Sequence, residues 1–133
     1  MILVDTNVLV DLSVGDAAWA GWSQRELANA KMRDEVAINA IVYAELSVRY
    51  ASIEDLDRML GSTGIALVAI PRAALFLAGK AFQRYRAAGG IRTGVLPDFF
   101  LGAHAEITDS LLLTRDTSRY RTYFPGVTLI APD

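Results

Sequence analysis

Four carboxylates in this chain sit among apolar residues, and that placement raises the first chemical question. Asp5 ends the apolar run Ile2 to Val4 and precedes Thr6, Asn7 and a second run, Val8 to Val10. Asp116 follows Leu111 to Thr114 in the same manner. Glu45 has Ile41, Val42 and Val48 at helical steps, which puts it on the stripe expected to face the core. Asp98 has Leu101, Gly102 and Ala105 along its own stripe. Each acid alone has an ordinary explanation. Asp5 caps a helix, Glu45 pairs with Arg49 on the surface, Asp98 complements a helix dipole, and Asp116 sits in a turn. Those explanations do not account for the set. Unpaired charges on apolar ground are costly and need a shared counter-charge. No lysine in these segments supplies one, so a divalent cation is the simplest compensation.

The kind of cation follows from what the chain lacks. There is no cysteine, which rules out thiolate sites, and with a single histidine, His104, an ordinary zinc site is not expected. Oxygen ligands point to Mg²⁺ or Mn²⁺. The formal net charge of −2 does not advertise a nucleic-acid partner. If four acids face a metal, however, the remaining surface carries a small positive excess, so net charge decides nothing.

The elements that must position these acids alternate between strand and helix. Strands are expected at Ile2 to Val4, Val36 to Ile38, Ile65 to Ile70, Ser110 to Thr114 and Val127 to Ile130. Helices are expected after the Thr6-Asn7 cap, over Asp16 to Arg33, over Ala40 to Tyr50 behind Asn39, and from Ser52 to the glycines Gly61 and Gly64. Further helices run over Arg72 to Ala88, from Pro97 to about Thr108, and over Ser118 to Phe124. This alternation implies an α/β fold with a mostly parallel sheet of about five strands covered on both faces. Asp5 and Asp116 then lie at strand ends, where open α/β sheets place their ligands. With 133 residues, 53% of them hydrophobic, and no linker-like stretch, the chain reads as one domain, 1–133. No apolar run approaches the roughly 18 residues of a membrane span. The N-terminus lacks the pattern of a secretory signal, so a cytoplasmic protein is expected.

The segments Asp5 to Leu9, Pro97 to Ala105 and Leu113 to Asp116, with the isolated Glu45, resemble the PIN-domain ribonucleases. Within them the chain is similar to the VapC-type toxins of toxin–antitoxin pairs, and Thr114 to Pro125 followed by Val127 to Pro132 resembles a common ending of that group. The resemblance spans Met1 to Pro132. It implies Mg²⁺- or Mn²⁺-dependent endonucleolytic cleavage of RNA, with Asp5, Glu45, Asp98 and Asp116 as the catalytic and metal-holding set. Thr6, Asn7 and Thr114 match positions that support such a site by hydrogen bonding. It also implies a cognate antitoxin as partner and a homodimer. Phosphodiester hydrolysis fits independently, because it needs an activated water and stabilised charge on the phosphoryl oxygens, and divalent ions supply both.

Other residues are expected to serve the substrate or the partner. Arg84, Arg86 and Arg92 flank the glycine-bearing loop Gly89 to Leu96, the expected mobile substrate contact. Arg115 and Arg119 flank Asp116. Of these, Arg86, Arg92, Arg115 and Arg119 are the candidates to position an RNA backbone without reading sequence. His104 lies about 600° round a helix from Asp98, away from its face, which argues against a general-base role. Trp19 and Trp22 are either core or partner-facing. The rival readings are a non-catalytic RNA- or partner-binding module and a phosphoaspartyl phosphatase with Asp5 as nucleophile. The phosphatase usually needs a second acid two residues on, and this chain has Asn7 there.

Overall fold

The computed structural model describes residues 1–92 and 94–132. Thr93, inside the expected substrate loop, and Asp133, the last residue of the expected domain, lie outside the described residues. The described residues form β1 (Ile2–Val4), α1 (Thr6–Val14), α2 (Ala20–Arg33), β2 (Val36–Ile38), α3 (Ala40–Ser47) and α4 (Ile53–Thr63). They continue as β3 (Ala66–Leu67), α5 (Arg72–Ala87), α6 (Leu96–Thr108), β4 (Leu111–Leu113), α7 (Ser118–Tyr123) and β5 (Leu129–Ile130). The sheet order is β3-β2-β1-β4-β5, and every pairing is parallel.

Parallel strands joined by helices are covered on both faces, which is why the strand sequences read as unbroken apolar runs. Ile2, Leu3 and Val4 at the centre of the sheet have no exposed surface, and Ala37, Ile38, Leu112 and Leu113 are equally buried. From β1 the chain builds outward through β2 to β3, then crosses back to place β4 on the other flank of β1. The strand order therefore reverses between β1 and β4, and an open α/β sheet has its crevice at such a point, beyond the carboxyl ends of the strands. Asp5 leaves β1 at that point, and Thr114 and Asp116 follow β4 beside it.

The strands expected over Ser110 to Thr114 and Val127 to Ile130 are trimmed to Leu111–Leu113 and Leu129–Ile130. Three other expected boundaries move by three residues or more, each for a local reason. The helix expected from Asp16 begins at Ala20, because the Asp16 carboxylate accepts the N–H groups of Ala18 at 2.8 Å and Trp19 at 3.0 Å and holds a turn there. The helix expected to reach Tyr50 ends at Ser47, where Arg49 and Tyr50 donate to Leu46 and Ser47 in tighter turns. The strand expected over Ile65 to Ile70 pairs only at Ala66 and Leu67, an edge position with Leu67 half exposed. Short edge strands limit unwanted pairing with other chains. Two expected caps hold, with Asn39 accepting from the N–H groups of Ile41 and Val42 and Ser52 from that of Asp55. The helix expected behind a Thr6-Asn7 cap instead starts at Thr6 itself, with Asp5 in the N-cap position and no side-chain capping bond.

The helices that carry the site are fixed by one close approach. Gly102 of α6 faces the buried ring of Phe124, just past α7, and a Cβ built there would lie 2.4 Å from its Cδ2 atom. Phe99, Phe82, Tyr85, Tyr123 and Phe124 extend this contact as an aromatic cluster with centroids 5.2–6.0 Å apart. Gly102→Ala is therefore expected to destabilise the fold by about 1–2 kcal/mol, the overpacking cost outweighing the gain in helix propensity. Thermal melting checks it, and an unchanged or higher melting temperature would show that Phe124 can yield at no cost.

Candidate active site at the edge of the sheet

Asp5 is the anchor. Its N–H donates to the Leu113 carbonyl at 2.9 Å, which extends the β1–β4 ladder and sets its side chain beside Thr114. The carboxylate is only 6% exposed. Its Oδ2 accepts the hydroxyl protons of Tyr120 at 2.8 Å and Thr114 at 2.9 Å, and a long 3.5 Å contact from the Asn7 amide. Burial, with Asp98 as a second contributor, pushes the Asp5 carboxyl up to about 6 despite these donors. Its charged form is thus held under protest at neutral pH.

Asp98, in the first turn of α6, faces the same hydroxyl. Tyr120 lies 3.5 Å from its Oδ1, so one phenol bridges the two carboxylates. Burial raises the Asp98 carboxyl as well, opposed by Arg119. Arg119 donates from Nε to Asp98 Oδ2 at 2.8 Å, and its Nη2 stands 3.9 Å from Asp116 Oδ2. Burial and the neighbouring carboxylates keep the Tyr120 phenol protonated, far above its usual range, so it remains a donor.

Asp116 and Glu45 lie at the rim, and here the structure corrects the sequence reading. Glu45 does not face the core. The stripe of α3 that packs inward is Val42 and Leu46, while Val48 is 83% exposed and Glu45 is exposed with it. An eight-residue helix covers the sheet with one short stripe, and Glu45 falls just outside it. It still joins the site, because the hydroxyl of Thr6, the residue next to Asp5, donates to Glu45 Oε1 at 2.7 Å. Asp116 follows its strand as expected, yet its side chain is 57% exposed. The acids therefore form a gradient, with Asp5 buried, Asp98 half-buried, and Asp116 and Glu45 open to solvent.

The supporting residues are local. Thr114 donates to Asp5 and accepts the Asp116 N–H at 3.1 Å, so one hydroxyl orders both strand ends. The Asn7 amide spans from Asp5 to Thr114, and its carbonyl accepts the Arg115 N–H at 3.4 Å. All side-chain donors on Asp5 reach Oδ2, and Oδ1 carries none of them.

The four arginines separate into different roles. Arg119 is inside the acidic set. Arg115 is tied away from it, with Nε and Nη2 donating to Asp11 at 2.8 and 3.0 Å. Asp11 is 1% exposed and also accepts the Ser23 hydroxyl, and the Arg115 guanidinium lies over the Trp19 ring. Arg86, in the last turn of α5, and Arg92 are exposed, and no ion pair joins either to the acids among the described residues. Arg92 and Arg119 line a cleft of about 490 Å³ with Ile91, Gly94 and Val95. Trp19 and Trp22 meet edge-to-face at 6.0 Å, half-buried. His104 is a core residue, 1% exposed. Asn39 Oδ1 is occupied by two backbone N–H groups, so Nδ2 must donate to His104 Nδ1 at 3.2 Å, and burial keeps the imidazole neutral.

Sequence reasoning missed Tyr120, Arg119 as a partner of the acids, and Asp11. Asp11 had a readable signal, since it interrupts the apolar run Val8 to Leu12 much as the other acids do. Tyr120 lies one helical step, i+4, from Asp116, which is a weak signal. The donor chemistry around Asp5 and Asp98 suits a hard cation, being all oxygen and electrostatically repulsive. Among the described residues no three acids converge on one point as a ready ligand cage. Arg119 occupies Asp98 and stands between it and Asp116.

A fully parallel five-stranded α/β domain with acids at the reversal of its strand order has the open-sheet architecture whose crevice lies at that edge. More particularly, residues 2–125 match the PIN domain family, and the chain belongs to that family. Solved structures share its fold over essentially the whole chain. One is VapBC2 from Rickettsia felis bound to a DNA fragment from their promoter, with TM-score 0.72, 20% identity and full coverage of both chains. Another is DNA-bound VapBC from Salmonella typhimurium, with TM-score 0.68, 16% identity, and 98% of this chain and 96% of that one covered. FitAcB from Neisseria gonorrhoeae gives a TM-score of 0.62 at 17% identity, covering 98% and 96%. The comparison with curated proteins returns no match.

Proposed function

We propose that this chain is a metal-dependent endoribonuclease and the toxin of a toxin–antitoxin pair. The observation that carries the reading is the Asp5–Asp98 pair, two repelling carboxylates bridged by one phenol at the strand-order reversal of a PIN domain. Asp5 and Asp98 would hold the ion, Mg²⁺ or Mn²⁺, with Asp116 and Glu45 adding carboxylates from the rim. When bound, such an ion supplies water activation and charge neutralisation at the phosphoryl oxygens. Tyr120, Thr114 and Asn7 fix Asp5 through Oδ2, and Thr6 ties Glu45 to the same corner. Arg92, which shares a cleft with Arg119, and the exposed Arg86 would meet RNA phosphates, whereas Arg115 would act through its pairing with Asp11. A phosphatase is disfavoured because Asn7 offers an amide donor where that chemistry needs a second acid.

A groove of about 600 Å³ between α1, α2 and α4, with Leu12, Ala20, Leu27 and Ala28 on its walls and Lys31 at its side, suits an apolar antitoxin segment. Solved toxin–antitoxin complexes of the same fold support that partner. The reading carries with it a homodimer and a cytoplasmic location. No helix among the described residues is long and apolar enough to cross a membrane.

The test is cleavage of total RNA by the purified chain with Mn²⁺, with Mn²⁺ plus excess chelator, and with Asp98→Asn. Internal cuts only in the first reaction are expected. RNA left intact by folded wild-type protein in Mn²⁺ and in Mg²⁺ would leave the non-catalytic binding module as the better reading.

A further inference from the structure

We propose that Arg119 is the resident counter-charge of the acidic edge, and that it exchanges Asp98 for an RNA phosphate in the Arg92 cleft when a divalent ion binds. The inference rests on the metal-dependent reading above and adds a coupling between ion and substrate.

Three observations carry it. First, Arg119 makes a short charge-assisted hydrogen bond to Asp98 and lies within reach of Asp116, so it neutralises the carboxylates an ion would use. Second, its side chain is 21% exposed and belongs to the six-residue helix α7, at the margin of the site. Third, the same side chain lines the cleft formed with Ile91, Arg92, Gly94 and Val95. Arg119 thus stands at the boundary between an acidic pocket and a basic cleft. A guanidinium presents its donors as a planar fork that suits either a carboxylate or a phosphate.

The two positions exclude each other electrostatically. A divalent ion at Asp98 would sit against a positive charge already bonded to that carboxylate, and like charges at contact distance repel. Moving Arg119 into the cleft removes the repulsion and places two guanidiniums where a phosphate could lie. Ion binding then strengthens RNA binding, and by linkage RNA strengthens ion binding by the same factor.

The experiment titrates the metal-free full chain with Mn²⁺ by calorimetry for wild type, Arg119→Gln and Arg119→Lys. Binding of a mixed-sequence 2′-O-methyl oligoribonucleotide is measured with Mn²⁺ and with chelator. Removing the guanidinium that must leave Asp98 before the ion binds is expected to tighten Mn²⁺ binding roughly sixfold in Arg119→Gln, the cost of parting one pair of unit charges at about 4 Å with water-like screening. Arg119→Lys, which keeps the charge, stays near wild type. The gain in oligonucleotide affinity caused by Mn²⁺ in wild type shrinks in Arg119→Gln. Equal or weaker Mn²⁺ binding by Arg119→Gln, with wild type binding normally, overturns the counter-charge role and leaves the nuclease reading intact. Tighter Mn²⁺ binding with undiminished coupling overturns the exchange into the cleft. Absence of Mn²⁺ binding in every form defeats the metal-dependent reading and this inference with it.

Discussion

Asp5→Asn is expected to lose RNA cleavage and gain stability at the same time. The loss should be about a thousandfold or more, on the scale of removing a principal stabiliser of transition-state charge. The gain comes from the same burial that suits Asp5 to an ion. Its carboxyl sits at about 6 in the fold against an ordinary 3.8, so ionising it above that range costs the folded state about 3 kcal/mol. Asparagine keeps the size and accepts the Tyr120 and Thr114 hydroxyls through its carbonyl. Its amide, however, takes the Oδ1 position, which makes no side-chain hydrogen bond among the described residues, so a buried N–H goes unpaired at a cost of about 1 kcal/mol. Without metal at pH 8 the variant should be more stable by about 1–2 kcal/mol, or several degrees of melting temperature. Near pH 4 wild-type Asp5 is protonated in the fold, and the advantage disappears. Melting curves at both pH values check this. A variant that melts below wild type at pH 8 would show that the carboxylate is a structural anchor.

The sheet and most helices were legible because their determinants are local. Buried parallel strands declare themselves as apolar runs, and Asn39, Ser52 and Gly64 mark helix ends by backbone chemistry that needs no tertiary context. Asp5 and Asp116 could be placed at strand ends from those runs alone. What escaped depended on side chains meeting across the fold. Tyr120 reaches Asp5 over 115 positions in sequence and Arg115 reaches Asp11 over 104, and nothing in the local sequence around Tyr120 or Arg115 marks those pairings. Glu45 misled for the opposite reason. Its neighbours have the right helical spacing, but α3 is too short for that stripe to continue inward, and Val48 ends in solvent. His104 was correctly set apart from Asp98 by its angular position, yet its bond to Asn39, which links α6 to the cap of α3, was not readable.

The second large expected effect is a dependence of stability on pH that a divalent ion reverses. Asp5 and Asp98 both titrate above the ordinary carboxylate range in the fold. The folded state therefore holds protons that the unfolded chain has already released, and stability falls as pH rises. For Asp5 the fall begins near the unfolded value of 3.8 and is complete once pH has passed about 6, with Asp98 adding in the same direction. The metal-free protein should accordingly melt lower at pH 7.5 than at pH 5. An ion that binds only the folded form, at 100 times its Kd, contributes about 2.7 kcal/mol. For a domain of this size that is a melting shift on the order of 10 °C. The shift should be large at pH 7.5 and smaller at pH 5, where protons compete for the same oxygens. In Asp98→Asn the ion-induced shift should shrink. Melting of both forms with chelator, Mg²⁺ and Mn²⁺ at the two pH values decides it. If millimolar ions leave wild type unmoved at pH 7.5, Arg119 and Tyr120 are the lasting partners of these acids and the metal-dependent reading loses its physical basis.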